Sequence, residues 1–182
     1  LTSVRSVQIH PANHDIVIVG AANELYKTTD GGITWNVIGQ ASFQALNIET
    51  HQIAFHPTQP DIIFAATDKG LFKTIDGGNN WTEVLTEECL SVVLKVNDPN
   101  IVFASQHVNA TGISNFFKST DGGNTFTIKP AGWFTVPAAD AGLIDSRGAK
   151  IAVTAANPNK IYALLVGESQ STANLQTHGF IG

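Results

Sequence analysis

One ten-residue phrase occurs three times in this chain, and its spacing constrains the fold more than any other feature. It reads Tyr26-Lys27-Thr28-Thr29-Asp30-Gly31-Gly32-Ile33-Thr34-Trp35, then Phe72-Lys73-Thr74-Ile75-Asp76-Gly77-Gly78-Asn79-Asn80-Trp81, then Phe117-Lys118-Ser119-Thr120-Asp121-Gly122-Gly123-Asn124-Thr125-Phe126. The aspartates lie 46 and 45 residues apart. Ile9-His10-Pro11 and Phe55-His56-Pro57 repeat upstream at the same 46-residue offset. A weaker echo links Asn97-Asp98-Pro99-Asn100-Ile101-Val102-Phe103-Ala104 to Asn157-Pro158-Asn159-Lys160-Ile161-Tyr162-Ala163, which marks a fourth unit. Self-similarity at a fixed period means stacked supersecondary units that bury their faces only against one another.

Within a unit, short β-rich runs alternate with turn residues. Val7-Gln8-Ile9, Asp15-Ile16-Val17-Ile18-Val19, Leu25-Tyr26-Lys27 and Thr34-Trp35-Asn36-Val37-Ile38 predict four strands per repeat. No stretch carries sustained helical periodicity with caps, so the expected class is all-β. A period of about 45 residues with four strands is the length of a β-propeller blade. The expected fold is therefore a propeller of four-stranded antiparallel blades, about three complete and one partial, with approximate repeats 1–46, 47–90, 91–135 and 136–182.

The repeated phrase has a physical reading as a turn. A short carboxylate at Asp30, Asp76 or Asp121 can accept backbone N–H bonds, and the paired glycines supply the positive φ that other residues resist. Trp35 opens the next strand and is expected to pack across the hairpin. Three catalytic carboxylates would have to converge, whereas equivalent positions of successive blades lie around a ring. The expectation is structural for Asp30, Gly32, Trp35, Asp76, Gly78, Trp81, Asp121, Gly123 and Phe126.

On these residues the chain resembles the Asp-box, or bacterial neuraminidase repeat, propellers. Such propellers occur in sialidases, in sortilin-type luminal domains, in two-propeller xyloglucan-active endoglucanases and in large secreted proteins of Bacteroidetes. The motif S/T-x-D-x-G-x-T-W is complete at Thr28 to Trp35; Asn80 stands where Thr is usual and Phe126 where Trp is usual. The resemblance implies that the motif lies at the blade periphery, away from the ligand-binding face. The phrase from Ile151 to Leu164 is similar to the Bacteroidetes members and implies an extracellular or cell-surface bacterial location.

Composition narrows the partners. Net charge is −5, and the ten Lys and Arg are scattered, so no basic stripe exists to neutralise nucleic-acid phosphates. The apolar runs are strand-sized, far short of the roughly 20 residues of a membrane helix. A single cysteine, Cys89, rules out an intrachain disulfide and a Cys-based zinc site. His10 and His56 precede proline at equivalent turns, and His14, His51, His107 and His178 share no ligand spacing. Neither metal nor cofactor is expected. Asn80-Trp81-Thr82 and Asn109-Ala110-Thr111 match the glycosylation sequon, which matters only in a eukaryotic host.

Two functional classes compete. Sialidase chemistry needs an arginine cluster and a tyrosine nucleophile, yet the chain holds only Arg5 and Arg147, and only Tyr26 and Tyr162. A glycosidase with paired carboxylates would draw on Asp140, Asp145 and Glu168, with Trp133 and Phe134 stacking on sugar rings. The blander reading makes 130–150 a long inter-blade loop whose aromatics cover core and whose aspartates cap turns. The stretch 106–114, with His107 and Asn109, exceeds its counterpart Asp68-Lys69-Gly70, and variable loops on a rigid scaffold are where recognition sits. Contacts with a protein or carbohydrate are expected there and over 167–178. The leading expectation is a noncatalytic binding scaffold; the alternative is a xyloglucanase-like glycoside hydrolase whose acids are shared with other blades. Lacking any Met, the chain reads as a processed or partial product, with remaining blades expected from another chain or an omitted segment.

Overall fold

The computed structural model describes residues 3–108, 113–130 and 144–169. The chain forms two compact units, Leu1–Val92 and Val93–Gly182.

In the first unit, β1 (Val4–Ile9), β2 (Val17–Ala21), β3 (Leu25–Thr28) and β4 (Asn36–Ile38) form one sheet in chain order. A single helical turn, α1 (Phe43–Leu46), leads into a second sheet of β5 (Thr50–Phe55), β6 (Ile63–Thr67), β7 (Gly70–Thr74) and β8 (Thr82–Thr86). The pairings are antiparallel throughout, which is the construction of propeller blades. The α1 turn is absent from the sequence reading. Four residues are too few to show a helical period, and it closes on Asn47 in the left-handed conformation.

The two sheets bury their faces against each other through Ile18 and Leu25 of the first and Ile53, Ile63, Ala65 and Phe72 of the second, with Phe43 and Ile48 from the connection. All of β6 and β7 is buried, so Ile63-Phe64-Ala65-Ala66 reads as an unbroken apolar run, while β7 buries Lys73 and Thr74 beside Leu71 and Phe72. Gly20 permits the approach: a Cβ there would lie 2.7 Å from Thr50 Cγ2. Thr50 itself is fully buried, and its Oγ1 has no hydrogen-bond partner among the described residues. Valine already occupies the equivalent place in β1, at Val4. Thr50→Val is therefore expected to stabilise the protein by about 1 kcal/mol, since an unsatisfied buried hydroxyl costs roughly that much or more. The urea midpoint at constant m-value checks this.

In the second unit the sheet runs β9 (Cys89–Leu94), β10 (Val102–Val108), β11 (Ile113–Ser119) and β12 (Thr127–Ile128), again in chain order. The unit boundary falls within β9. A two-stranded sheet of β13 (Ile144–Val153) and β14 (Ile161–Ser169) follows, and β13 lies against β10 and β11. Ser105 Oγ donates to the Ala149 carbonyl at 2.7 Å, which ties the two sheets. The described residues thus hold three four-stranded blades and a two-stranded part of a fourth. Among the described residues no helix is long and apolar enough to cross a membrane.

Candidate functional site

Each aspartate turn follows the third strand of its blade and completes its hydrogen bonds locally. Asp30 Oδ1 accepts from Thr28 Oγ1 at 2.7 Å and from the Thr34 amide at 2.9 Å, while Oδ2 accepts from Thr34 Oγ1 at 2.5 Å. Asp76 Oδ1 accepts from Thr74 Oγ1 and from the Asn79 and Asn80 amides, and Oδ2 takes the Asn80 side-chain amide at 2.7 Å. Asp121 repeats the pattern with Ser119, Asn124 and Thr125. Asn80 thus replaces the usual threonine with an equivalent donor. The first glycine of each turn donates to the carbonyl of Asp15, Asp61 or Asn100, which fastens the turn to the loop between the first two strands.

These donors favour the charged carboxylate. The Thr34 hydroxyl and amide hold Asp30 down to about 2, and the Asn80 amides do the same for Asp76. Thr125 and Ser119 hold Asp121 well below the usual carboxylate range. A folded-state pKa below the unfolded one stabilises the fold above the unfolded pKa, and that contribution disappears as pH falls through the folded value. Tm is accordingly expected to be level above about pH 5 and to fall between roughly pH 4 and pH 2. Asp76→Asn should flatten that decline while lowering Tm at neutral pH, which thermal melts across pH would reveal.

The Trp35 and Trp81 indoles fold over their own turns, with Nε1 donating to the Gly32 carbonyl at 3.2 Å and the Gly78 carbonyl at 2.9 Å.

The edge remote from the aspartate turns carries the first unit's ion pairs. Strands β1 and β5 both begin with a register break, between Val4 and Ser6 and between Thr50 and Gln52. Bulges of this kind re-aim a side chain, and the extra residues are Arg5 and His51. Arg5 pairs with Glu49, and His51 Nε2 lies 3.1 Å from Glu88 Oε1, so each bulge residue meets an acid just ahead of the next blade's first strand. Asp68 Oδ1 accepts the Glu49 amide at 2.7 Å, and its other oxygen pairs with Lys69 at 2.9 Å, an interaction that raises the Lys69 pKa. Tyr26 donates its hydroxyl to Glu24, which raises the tyrosine pKa. Sequence reasoning missed this row, although Arg5 and His51 stand at the 46-residue offset that revealed the repeat.

Among the sequence candidates, Asp145 and Glu168 are direct Cα partners across β13 and β14, next to a register break that spans Arg147. His107 is corrected from loop to strand: it is buried in β10 opposite Ser114, because the pairing continues through Val108 and Ile113 and shortens the loop. Likewise 167–169 belong to β14. Asn109, Trp133, Phe134 and Asp140 lie outside the described residues, as does 170–178. His10 and His56 act in turns, Nδ1 of His10 accepting the Ala12 amide and that of His56 the Thr58 and Gln59 amides. Burial, then the charge of Lys73, lowers the His56 pKa and keeps that ring an acceptor.

No curated protein sequence matches the chain. Among solved structures it is similar to an ancestral GH74 enzyme, with a TM-score of 0.74 and 19% identity over 89% of this chain and 22% of that one. The extracellular domain of a hybrid two-component system from B. thetaiotaomicron gives 0.62 and 14%, over 97% of this chain and 22% of that one. YCF48 from Cyanidioschyzon merolae gives 0.58 and 16%, over 94% and 58%. YCF48 with D1 peptide bound gives 0.54 and 13%, over 70% and 40%. The chain spans about a fifth of the GH74 enzyme's length. These likenesses carry the propeller fold. The family model described as "Sortilin, neurotensin receptor 3" matches residues 1–128, and the chain belongs to this Sortilin-Vps10 family.

Proposed function

We propose that this segment is a noncatalytic propeller scaffold of a large secreted or cell-surface bacterial protein, and that it binds protein or carbohydrate. The observation that carries the reading is the asymmetry between the two blade edges. At one edge the aspartate carboxylates are occupied by donors two to four residues away. We read these turns as Asp-boxes serving the fold, each within its repeat of about 46 residues. The other edge is chemically varied, with Arg5, Glu49, His51, Asp68 and Lys69, and it suits recognition. Among the candidates, His107 belongs to β10, Asn109 would add a polar contact, and Trp133 and Phe134 would offer apolar faces to a sugar. Further blades would complete the ring. A neighbour of the same fold binds a peptide and another is an enzyme, so the fold suits either class.

One observation favours the second reading, a glycoside hydrolase. Asp145 and Glu168 are Cα partners in the β13–β14 register, although 23 residues separate them in sequence. Incubation with soluble xyloglucan, followed by affinity electrophoresis and a reducing-end assay, tests both. Retardation without new reducing ends is the expected result for a carbohydrate-binding scaffold. Release of reducing ends that is lost in Asp145→Asn and Glu168→Gln would overturn the scaffold reading.

A further inference from the structure

Two positions of the aspartate turn face solvent in all three blades. They are the residue before the aspartate, filled by Thr29, Ile75 and Thr120, and the residue after the glycine pair, filled by Ile33, Asn79 and Asn124. Exposure at these places therefore belongs to the turn and does not depend on what precedes or follows a blade. Polar residues suit a solvated turn, and the asparagines also bond within it. Asn79 Nδ2 donates to the Asp76 carbonyl at 2.8 Å, and Asn124 Nδ2 to the Asp121 carbonyl at 2.7 Å. Ile33 cannot make that bond and is 84% exposed, while Ile75 is 71% exposed. The first turn has lost a hydrogen bond at Ile33, and both isoleucines hold apolar surface in water. The fold of the described residues gains nothing from either.

The two tips share one rim and one electrostatic setting. Lys27, at the base of the first turn, donates Nζ to the Gly77 carbonyl of the second at 2.9 Å, which brings the turns together. Asp15 Oδ1 lies 3.5 Å from the point a Cβ on Gly31 would occupy, and Asp61 Oδ1 lies 3.2 Å from the corresponding point at Gly77. Each tip is thus flanked by two carboxylates, Asp15 with Asp30 and Asp61 with Asp76. Local donors keep Asp30 and Asp76 ionised. Against these acids stands the Lys27 ammonium, already engaged by Gly77.

We infer that the tips of the first two aspartate turns form a docking surface for a protein segment that presents apolar side chains between lysines or arginines. Ile33 and Ile75 supply the area removed from water, and the flanking carboxylates select a cationic partner over an anionic one. The aspartates keep their structural role, because the segment meets their charge without displacing their donors. This surface lies at the edge opposite the ion-pair row and does not rest on it.

Fluorescence anisotropy of a short labelled peptide of leucine, glycine and lysine repeats, titrated with the full chain, tests the inference. Two companion peptides, with serine for leucine and with glutamate for lysine, separate apolar contact from charge. The variants come from the repeat itself: Ile33→Asn and Ile75→Thr install the residues that other turns carry at the same places. The leucine-lysine peptide should bind, and each companion should bind more weakly. The double variant should lose about tenfold or more in affinity, as expected when interface anchors are removed. Ile33→Asn alone should hold or raise Tm by regaining the bond to the Asp30 carbonyl. Failure of the leucine-lysine peptide to bind, equal binding by the double variant, or equal binding of the serine peptide would overturn the inference. A fall in Tm for Ile33→Asn would also overturn it, because Ile33 would then serve the fold. So would self-association that the double variant abolishes in sedimentation, since the occupant would be a second copy. The xyloglucan assay reads a different property, so failure of one proposal leaves the other standing.

Discussion

Phe43→Ala is expected to lower stability by about 3–5 kcal/mol, the cost of removing a large buried ring whose cavity the surroundings only partly refill. Phe43 is fully buried in α1, between the last strand of one blade and the first of the next. Its ring contacts Phe72 at 5.5 Å and Trp81 at 5.2 Å, in tilted and edge-on geometries that each add roughly 0.5–1.5 kcal/mol beyond area burial. The same substitution therefore creates a void and unlinks two blades. For a chain of this size Tm falls by roughly 2–4 °C per kcal/mol, so a thermal melt has ample range. Leu46→Ala, one turn on and exposed, is the control and should change little. A small effect of Phe43→Ala would mean that the blades hold together without this aromatic cluster.

Gly78→Ala is the second large effect, because two independent costs coincide. The residue sits at φ +101, where a Cβ costs about 1–2 kcal/mol. That Cβ would also lie 2.6 Å from Ile38 Cδ1 of the preceding blade, and overpacking of this kind adds roughly 1–3 kcal/mol. Gly32 separates the terms. It occupies the same place in the first turn at φ +94, yet the nearest atom to its Cβ is 3.8 Å away, in Trp35. Gly32→Ala should thus show the backbone cost alone. Ile38→Val removes the offending methyl and should recover part of the Gly78→Ala loss, a coupling that a double-mutant cycle measures. Equal losses at the two glycines would show that the blades shift to accommodate the methyl.

The blade architecture was legible because its signals are local and repeated. Runs such as Val17-Ile18-Val19 and Leu25-Tyr26-Lys27 became β2 and β3, and the glycine pairs sit at positive φ in all three turns. The carboxylates of those turns bond within four residues, a distance over which sequence alone specifies geometry. Environment was less legible than motif. Trp35 and Trp81 occupy the same letter of the same phrase, yet Trp35 is exposed while Trp81 packs on Phe43, which the connection between the two sheets brings to it. The ion-pair row escaped notice for a related reason. A one-residue bulge sets the placement of Arg5 and His51, and their acids lie 44 and 37 residues away. His107 was read as loop because nothing in Gln106-His107-Val108 announces that the hairpin would run on past its counterpart in the second blade.

The separation between the two kinds of contact has a kinetic consequence. Every hydrogen bond of the Asp76 carboxylate spans two to four residues, whereas Lys27 reaches Gly77 across 50 and Ser6 reaches Ile53 across 47. Short-range closures form on the microsecond scale of hairpins, while long-range ones must first meet the entropy of ordering a whole repeat. Individual hairpins, closed by their aspartates, would then be present in the folding transition state before any blade has found its neighbour. Substitutions at Thr74 and Asp76 would mainly slow folding, and those at Ser6 and Lys27 would mainly accelerate unfolding. The aspartate turn, conspicuous in the sequence as a repeated phrase, would be among the first parts of the molecule to exist.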